Sequence, residues 1–182
     1  IGYTGELGGF IGLATSDIDI NNCKSENVNI NIEKSGYASI MVGEIASLGY
    51  RINNDKIGTI RNCTANNISV QRENNNATIE FGGMVCKIID SQIKDFRLEN
   101  CEINNLKFNE NMSESIIGGM IGLLKGVDTI NLSNNKITNS IILSTNSSDS
   151  TRMGGIASTI LESQGIINID NCNIENTEMK SD

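Results

Sequence analysis

The 182-residue sequence contains no proline, tryptophan or histidine, and its aromatic residues are limited to four Phe and three Tyr. So few aromatic rings leave little material for the platforms on which polysaccharide-processing enzymes hold sugar rings. Lys and Arg number 14 against 22 Asp and Glu, and the net charge of -8 argues against binding to nucleic acid phosphates. No apolar run reaches the roughly 18 to 20 residues that a membrane span needs, and the first residues do not form a signal peptide.

Isoleucine is the main apolar residue of the chain and asparagine the main polar one. β-Branched residues favour strands, whereas Asn favours turns and left-handed backbone. This composition predicts short strands joined by corners that contain Asn. The chain begins at Ile1, partway through a repeat. We therefore expect residues 1–182 to form a single domain that is a fragment of a longer repetitive chain, with any secretion signal or anchor outside it.

Five repeats cover the chain, and each opens with a predicted strand of small and apolar residues. These strands are GGFIGLA from Gly8, SIMVGEI from Ser39, GGMVCKI from Gly82, GGMIGLL from Gly118 and GGIASTI from Gly154. A second block follows each of them, such as FRLENCEINNLKF from Phe96, in which apolar and polar residues alternate. Alternation with a period of two indicates a strand.

Two asparagine positions recur in the second block of every repeat, five residues apart. The first is occupied by Asn22, Asn62, Asn100, Asn134 and Asn171, and the second by Asn27, Asn67, Asn105, Asn139 and Asn176. Strand, corner, short strand, corner and strand together make one turn of roughly 34 to 40 residues. The pattern predicts an all-β fold, a right-handed parallel β-helix of five rungs, with the handedness taken from the rule for parallel crossovers. At both corners the Asn side chains should form hydrogen-bonded ladders from rung to rung.

A leucine-rich repeat is the alternative interpretation, because INLSNNKITNSII from Ile130 resembles one of its units. Leucine-rich repeats have a period of 20 to 29 residues and lack a second strand that begins with glycine. The longer period, the Gly-Gly strand and the second Asn position therefore favour the β-helix.

The segments GGFIGLA and GGMIGLL, each followed by a strand that ends in Asn-Cys or Asn-Asn, resemble the GLUG-motif repeats of bacterial surface and secreted proteins. The resemblance covers all five repeats, although Ser39 and Ser158 depart from the Gly pattern. It implies a repetitive extracellular β-structure of the kind found in adhesin-like proteins and in non-catalytic regions of large surface enzymes. It implies no catalytic residues.

The five cysteines do not have the close spacing of metal ligands, because no two of them form a short pair such as Cys-x2-Cys. Cys23, Cys63, Cys101 and Cys172 share one position in the repeat and should point into the core. Stacked neighbours could come within Cα range of a disulfide, but in-register side chains hold their Cβ atoms too far apart. We expect buried free thiols, with Cys86 similar, and neither a metal nor a cofactor.

A carbohydrate-active β-helix enzyme, a polysaccharide hydrolase or lyase, is the main alternative function. One outward column should hold Asn21, Arg61, Glu99, Ser133 and Asp170. Glu99 and Asp170 would lie about 9.6 Å apart, near the upper end for inverting glycosidases. The simpler expectation is that Arg61 and Glu99 form a solvated cross-rung pair and that the chain is not an enzyme.

The loops that close the rungs could carry binding or modification sites. Tyr50 and Arg51 lie in the longest spacer and suit a protein or glycan partner, although a long loop is also tolerated without a role. Asn76, Asn111 and Asn146 begin glycosylation sequons in three successive loops.

From these features we expect a non-catalytic structural or adhesive segment of an extracellular surface protein or filament, which acts as a rigid stalk that displays loops. Its partners should be adjacent rungs or copies of the same protein end to end, and a host protein or glycan. Nucleic acid and a membrane span within this chain are not expected.

Overall fold

The computed structural model describes residues 5–32, 36–46, 56–72, 78–89, 93–111, 115–145, 151–163 and 165–181, and these residues form strands and connecting turns without a helix. The strands fall into five successive rungs. Rung 1 contains β1 (Gly5–Gly8), β2 (Ile11–Ala14), β3 (Ile18–Asn21) and β4 (Lys24–Ile32). Rung 2 contains β5 (Gly36–Ser39), β6 (Val42–Ala46), β7 (Lys56–Arg61) and β8 (Thr64–Arg72). Rung 3 contains β9 (Ile79–Gly82), β10 (Val85–Ile89), β11 (Ile93–Glu99) and β12 (Glu102–Asn111).

The last two rungs have five strands each, because the long fourth strand is divided in two. Rung 4 contains β13 (Ser115–Gly118), β14 (Ile121–Lys125), β15 (Thr129–Ser133), β16 (Lys136–Thr138) and β17 (Ile141–Thr145). Rung 5 contains β18 (Arg152–Gly154), β19 (Ala157–Leu161), β20 (Ile167–Asp170), β21 (Asn173–Glu175) and β22 (Glu178–Ser181).

Equivalent strands of successive rungs pair in parallel and form four sheets that run along the stack. The first sheet contains β1, β5, β9, β13 and β18, the second β2, β6, β10, β14 and β19, and the third β3, β7, β11, β15 and β20. In the fourth sheet β4, β8 and β12 are followed by the paired halves of rungs 4 and 5. The predicted β-helix with about five rungs is confirmed. Its handedness stays a prediction.

Inward side chains stack in columns, and this stacking builds the core. One column of the third sheet runs through Ile20, Ile60, Leu98 and Leu132, all of them buried. In the neighbouring column Gly58 makes room for Phe96, whose ring lies 3.0 Å from the place where a Cβ at Gly58 would be. Side-chain sizes are therefore matched between rungs, as close packing requires.

The Gly-Gly pairs do not begin a strand as predicted. They form a bend between the first and second sheets, so the predicted opening strand is in fact the end of one strand, a turn and a second strand. A Cβ at Gly82 would lie 1.8 Å from the carbonyl oxygen of Val85 and 2.5 Å from the amide nitrogen of Gly122. No side chain fits at such a close approach of two backbones, which explains the glycine.

Both asparagine corners have left-handed backbone in every rung, and φ at the ten positions lies between 49° and 59°. Asn tolerates this region better than other residues with a side chain, because its short polar side chain can bond locally. In rungs 1 to 3 the second Asn lies inside one long strand, β4, β8 or β12, rather than between two strands. The strand register is interrupted at this Asn and resumes at the next residue.

Candidate functional site

The outward side of the third sheet in rungs 3 to 5 forms a shallow polar concavity of about 500 Å³. We call it the third-sheet face. Its lining residues are Arg97, Glu99, Asn131, Leu132, Ser133, Asn168 and Asp170. Its polar side chains belong to two columns, which continue across β11, β15 and β20.

The first column of the third-sheet face is the one predicted from the sequence. The strand register pairs Glu99 with Ser133 and Ser133 with Asp170, so the two carboxylates lie two rungs apart. With about 4.8 Å between strands, their separation is about 9.6 Å. The structure therefore brings both predicted acids to one concavity, with a serine between them.

The second column, which the sequence analysis missed, contains Arg97, Asn131 and Asn168. Asp95 organises it, because its carboxylate accepts hydrogen bonds from the Arg97 guanidinium and, at 3.0 Å, from Asn131 Nδ2. Asn168 Nδ2 in turn donates to Asn131 Oδ1 at 2.8 Å. These bonds fix the orientation of the amide groups. The sequence signal was present two positions before the first column, in the same strands.

Arg61 does not form the predicted pair with Glu99. Its guanidinium donates to the Asp19 carboxylate in rung 1 at 2.8 Å. Arg61 and Asp19 are two residues apart in their register, so the long arginine side chain reaches diagonally across the strands. The Glu99 carboxylate, which makes no ion pair with another described residue, is left facing the concavity.

The asparagine ladders are present, but their hydrogen bonds shift register in places. At the second corner Asn105 donates to Asn67 at 2.9 Å, and Asn67 donates to Asn27 at 3.0 Å. Asn139 then bonds to Asn104 instead of Asn105. At the first corner Asn100 donates to Asn62 at 3.3 Å, but Asn62 bonds to Asn21 rather than to Asn22.

Nine of the ten ladder asparagines are exposed and Asn105 is partly buried, so the ladder amides lie at the surface rather than in the core. The side chains project at the corners, where water can replace a missing partner. The positive φ is shared by all ten positions, whereas the in-register hydrogen bond is not. Backbone conformation is therefore the more general reason for Asn at these corners.

The cysteine column points inward as predicted. Cys63 and Cys101 are buried, whereas Cys23 and Cys172, in the two end rungs, are partly exposed. Burial raises the pKa of the Cys63 thiol and raises that of Cys101 to about 12, so both remain protonated at neutral pH. Thiols of this kind react slowly and do not suit nucleophilic catalysis.

Asn135 interrupts the cysteine column in rung 4 and is fully buried. Its amide is satisfied by the backbone, because Oδ1 accepts from the Cys101 amide at 3.0 Å and Nδ2 donates to the Leu98 carbonyl at 2.7 Å. Two hydrogen bonds of this kind offset the cost of burying a polar side chain. Asn135 is thus part of the core, and not a ligand-binding residue.

A buried ion pair at the bend between the first two sheets was not predicted. Lys87 Nζ lies 3.7 Å from Glu80 Oε2 and 3.7 Å from the centre of the Tyr37 ring. Burial raises the pKa of the Glu80 carboxyl, and the charge of Lys87 offsets only part of that rise. Burial alone would lower the pKa of Lys87, but Tyr37 and Glu80 outweigh it and the pKa is raised.

Several predicted loop sites cannot be located. Tyr50, Arg51, Asn76 and Asn146 lie outside the described residues. Asn111 is the last residue of β12, and its side chain also lies outside them. Partner binding and glycosylation at these positions therefore stay predictions.

Comparisons with family models, curated proteins and solved structures found no match to this chain. The resemblance to GLUG-motif repeats therefore has no support from a family model. Over the residues that the structure covers, no helix has the length and apolar character to cross a membrane. Within the same ranges, no set of three or more His, Cys, Asp and Glu side chains is arranged to hold a metal ion.

Proposed function

We propose that this chain is a non-catalytic structural segment of an extracellular surface protein or filament. In this role it is a rigid stalk that has an inert core and displays loops on its surface. Its support is the continuous stack of parallel strands, in which every central rung is covered on both sides by its neighbours. Such repeats depend on neighbour contacts and so suit long, stiff assemblies. The GLUG resemblance, the bacterial surface location and the adhesin role belong to this proposal.

The observation that favours end-to-end assembly is the exposed apolar surface of rung 5. Ile167, Ile169 and Ile174 continue columns that are buried in rungs 3 and 4, yet each is exposed. Rung 1 exposes Leu7 and Phe10 in the same way. A further rung, from a longer chain or from a second copy, would bury these side chains and pair the open strand edges.

The ladders also fit a continued stack. Asn176 Nδ2 donates to Asn139 in rung 4, which leaves Asn176 Oδ1 available to accept. At the other end Asn27 Oδ1 accepts from Asn67, which leaves Asn27 Nδ2 available to donate. A rung 1 placed on a rung 5 would therefore bring a donor to an acceptor at the second corner.

Sedimentation velocity over a wide range of concentration tests the assembly. We expect the average mass to rise with concentration for the wild-type chain and to stay at the single-chain value for Ile169→Lys with Ile174→Lys. The control is Asn173→Lys, which adds charge beside Ile174 on the outward side of β21. A constant single-chain mass for the wild type, or equal association of all three proteins, would contradict assembly through the end faces.

The alternative, a carbohydrate-active β-helix enzyme, is favoured by one observation, which is that Glu99 and Asp170 share a concavity. An acid and a base each contribute about 10² to 10⁴-fold to a rate. A panel of neutral and acidic polysaccharides incubated with the wild-type chain, and with Glu99→Gln, Asp170→Asn, tests it. Hydrolysis that the double variant abolishes would establish the enzyme, and absence of product with every polysaccharide supports the structural role.

The loop that contains Tyr50 and Arg51 is proposed as a contact for a host protein or glycan. Asn76, Asn111 and Asn146 are proposed glycan acceptors if the chain is made in a glycosylating host. Mass spectrometry of the secreted chain, with and without Asn→Gln changes at these three positions, would detect such glycans directly.

A further inference from the structure

From the geometry we infer that the third-sheet face is a binding site for a neutral, extended glycan. The inference rests on the proposed role as a surface segment and gives that role a ligand. Three rungs present the same two polar columns, so hydrogen-bonding groups repeat every 4.8 Å or so along the stack. A linear chain of sugar units also presents similar groups at regular intervals, which suits a repetitive surface.

Three polar side chains of this face, Arg97, Asn131 and Asn168, are oriented before any ligand arrives. Asp95 fixes Arg97 and Asn131, and Asn131 fixes Asn168, through the hydrogen bonds described above. Ordering these long side chains therefore costs little on binding, which favours affinity. The pre-ordered amides of Asn131 and Asn168 can receive ligand hydroxyl groups without rearrangement.

The face retains hydrogen-bonding capacity that the protein does not use. Glu99 and the Ser133 hydroxyl make no side-chain hydrogen bond to another described residue, and Asn168 Oδ1 remains available to accept. Asp170 accepts a single weak bond from Asn171, at 3.4 Å. Acceptors and a hydroxyl group at this density match the hydroxyl groups of a sugar, each of which both donates and accepts.

The charge of this face and its lack of exposed apolar side chains disfavour other classes of ligand. Arg97 is paired with Asp95, so Glu99 and Asp170 give the face a negative potential that repels nucleic acids and acidic polysaccharides. Protein interfaces depend on large apolar or aromatic anchors. The one apolar lining residue, Leu132, is itself fully buried in the core. A neutral glycan is the class that these features leave.

Binding is tested by calorimetric titration of the intact chain with neutral linear hexasaccharides of β-linked glucose, xylose and mannose, and with hexagalacturonate. We expect at least one neutral hexasaccharide to bind with a Kd below about 1 mM. Ser133→Ala and Asn168→Ala should each weaken it about tenfold, the effect of one lost hydrogen bond. Ser69→Ala and Gln71→Ala, on the fourth sheet, are matched controls that should bind like the wild type.

The outcomes separate this site from the proposed function. Binding that the third-sheet variants weaken, with melting temperatures unchanged and the hexasaccharide recovered intact, supports the site. Failure of every neutral hexasaccharide to bind, binding of hexagalacturonate alone, or equal effects of the control variants would overturn it. Those results would leave the structural role standing, because end-to-end association is measured independently. Cleavage of the hexasaccharide would overturn the non-catalytic role and the site together.

Discussion

The third and fifth rungs contain the same side-chain columns but bury them to very different extents. Leu98 in β11 is fully buried, whereas Ile169, in the same column two rungs further on, is 56% exposed. Both are inward aliphatic residues between alternating polar ones. The difference therefore comes from the neighbours: rung 3 is covered on both sides, and the described part of rung 5 on one.

A rung of this fold has no hydrophobic core of its own. Its inward side chains pack against those of the next rung, so the core is formed between repeats and not within one. Stability should therefore be distributed unevenly along the stack, greatest in rungs 2 to 4 and least in rungs 1 and 5. Matched substitutions in central and end rungs can test this conclusion.

The largest difference should appear between Leu98→Ala and Ile169→Ala. Removing a fully buried leucine side chain costs the transfer free energy and leaves a cavity, about 4 kcal/mol of unfolding free energy in total. Ile169→Ala should cost less than about 1 kcal/mol, because that side chain already meets solvent. Urea denaturation at low protein concentration, where end-to-end stacking is absent, measures both. Similar losses for the two variants would contradict the importance of rung neighbours.

The next largest effect should come from the buried ion pair. Lys87→Met leaves the Glu80 carboxylate without its cation and should cost about 3 kcal/mol at pH 7. The matched change in an exposed pair, Lys136→Met opposite Glu175 in rung 5, should alter stability little, because both partners lie in solvent.

The pH dependence of Lys87→Met follows from the direction of the Glu80 pKa. Folding raises the pKa of the Glu80 carboxyl. Such a group contributes to the free energy of unfolding most fully below the pKa that it has in the unfolded chain, and this contribution is lost as the pH rises through the pKa of the folded protein. The deficit of the variant should therefore shrink from pH 7 to pH 4, where Glu80 becomes neutral. A deficit that is equal at both values would rule out an unpaired Glu80 charge as its cause. Adding Glu80→Gln to the variant should restore much of the loss at pH 7.

The interior amide of rung 4 should have a smaller effect than the ion pair. Asn135→Ala leaves the Cys101 amide and the Leu98 carbonyl without their partners, at a cost of about 2 kcal/mol. Cys172→Ala, at the same column position in rung 5, should cost clearly less because Cys172 is partly exposed. Thermal unfolding of the two variants gives the comparison. A smaller loss for Asn135→Ala than for Cys172→Ala would show that the buried amide does not stabilise the core.

The sequence was sufficient to predict the parallel stack, the inward columns and both corners, because each depends on residues that recur at the same position in every repeat. The column of Glu99, Ser133 and Asp170 was predictable for the same reason, since a period of two fixes the face of a strand. The bend at Gly82 was not, because it depends on a close approach to Gly122 in another rung.

Other features depend on side-chain conformations that no repeat pattern specifies. Arg61 pairs with Asp19 through a diagonal contact. Its flexible side chain makes this contact instead of one with Glu99, its partner in the same column. Lys87 and Glu80 meet because the chain bends between their strands, and strands of a straight repeat would have kept them apart. The concavity itself was not predictable, because alternation of residues does not encode how a sheet twists and curves.

The smallest effects should be found at the asparagine corners, where two explanations for the same residue can be separated. Asn105→Ala loses the bond to Asn67 and puts, at a φ of 59°, a residue that tolerates left-handed backbone less well than Asn does, so it should cost about 1 to 2 kcal/mol. Asn105→Gly loses the same bond but tolerates that φ, and it should cost less than about 1 kcal/mol. The matched pair at Asn176, where φ is 49°, should show the same order with smaller values, because rung 5 can open locally before the rest of the stack. Chemical denaturation of the four variants provides the test. Equal losses for Ala and Gly at position 105 would mean that the ladder bond, and not the left-handed backbone, makes Asn necessary at this corner.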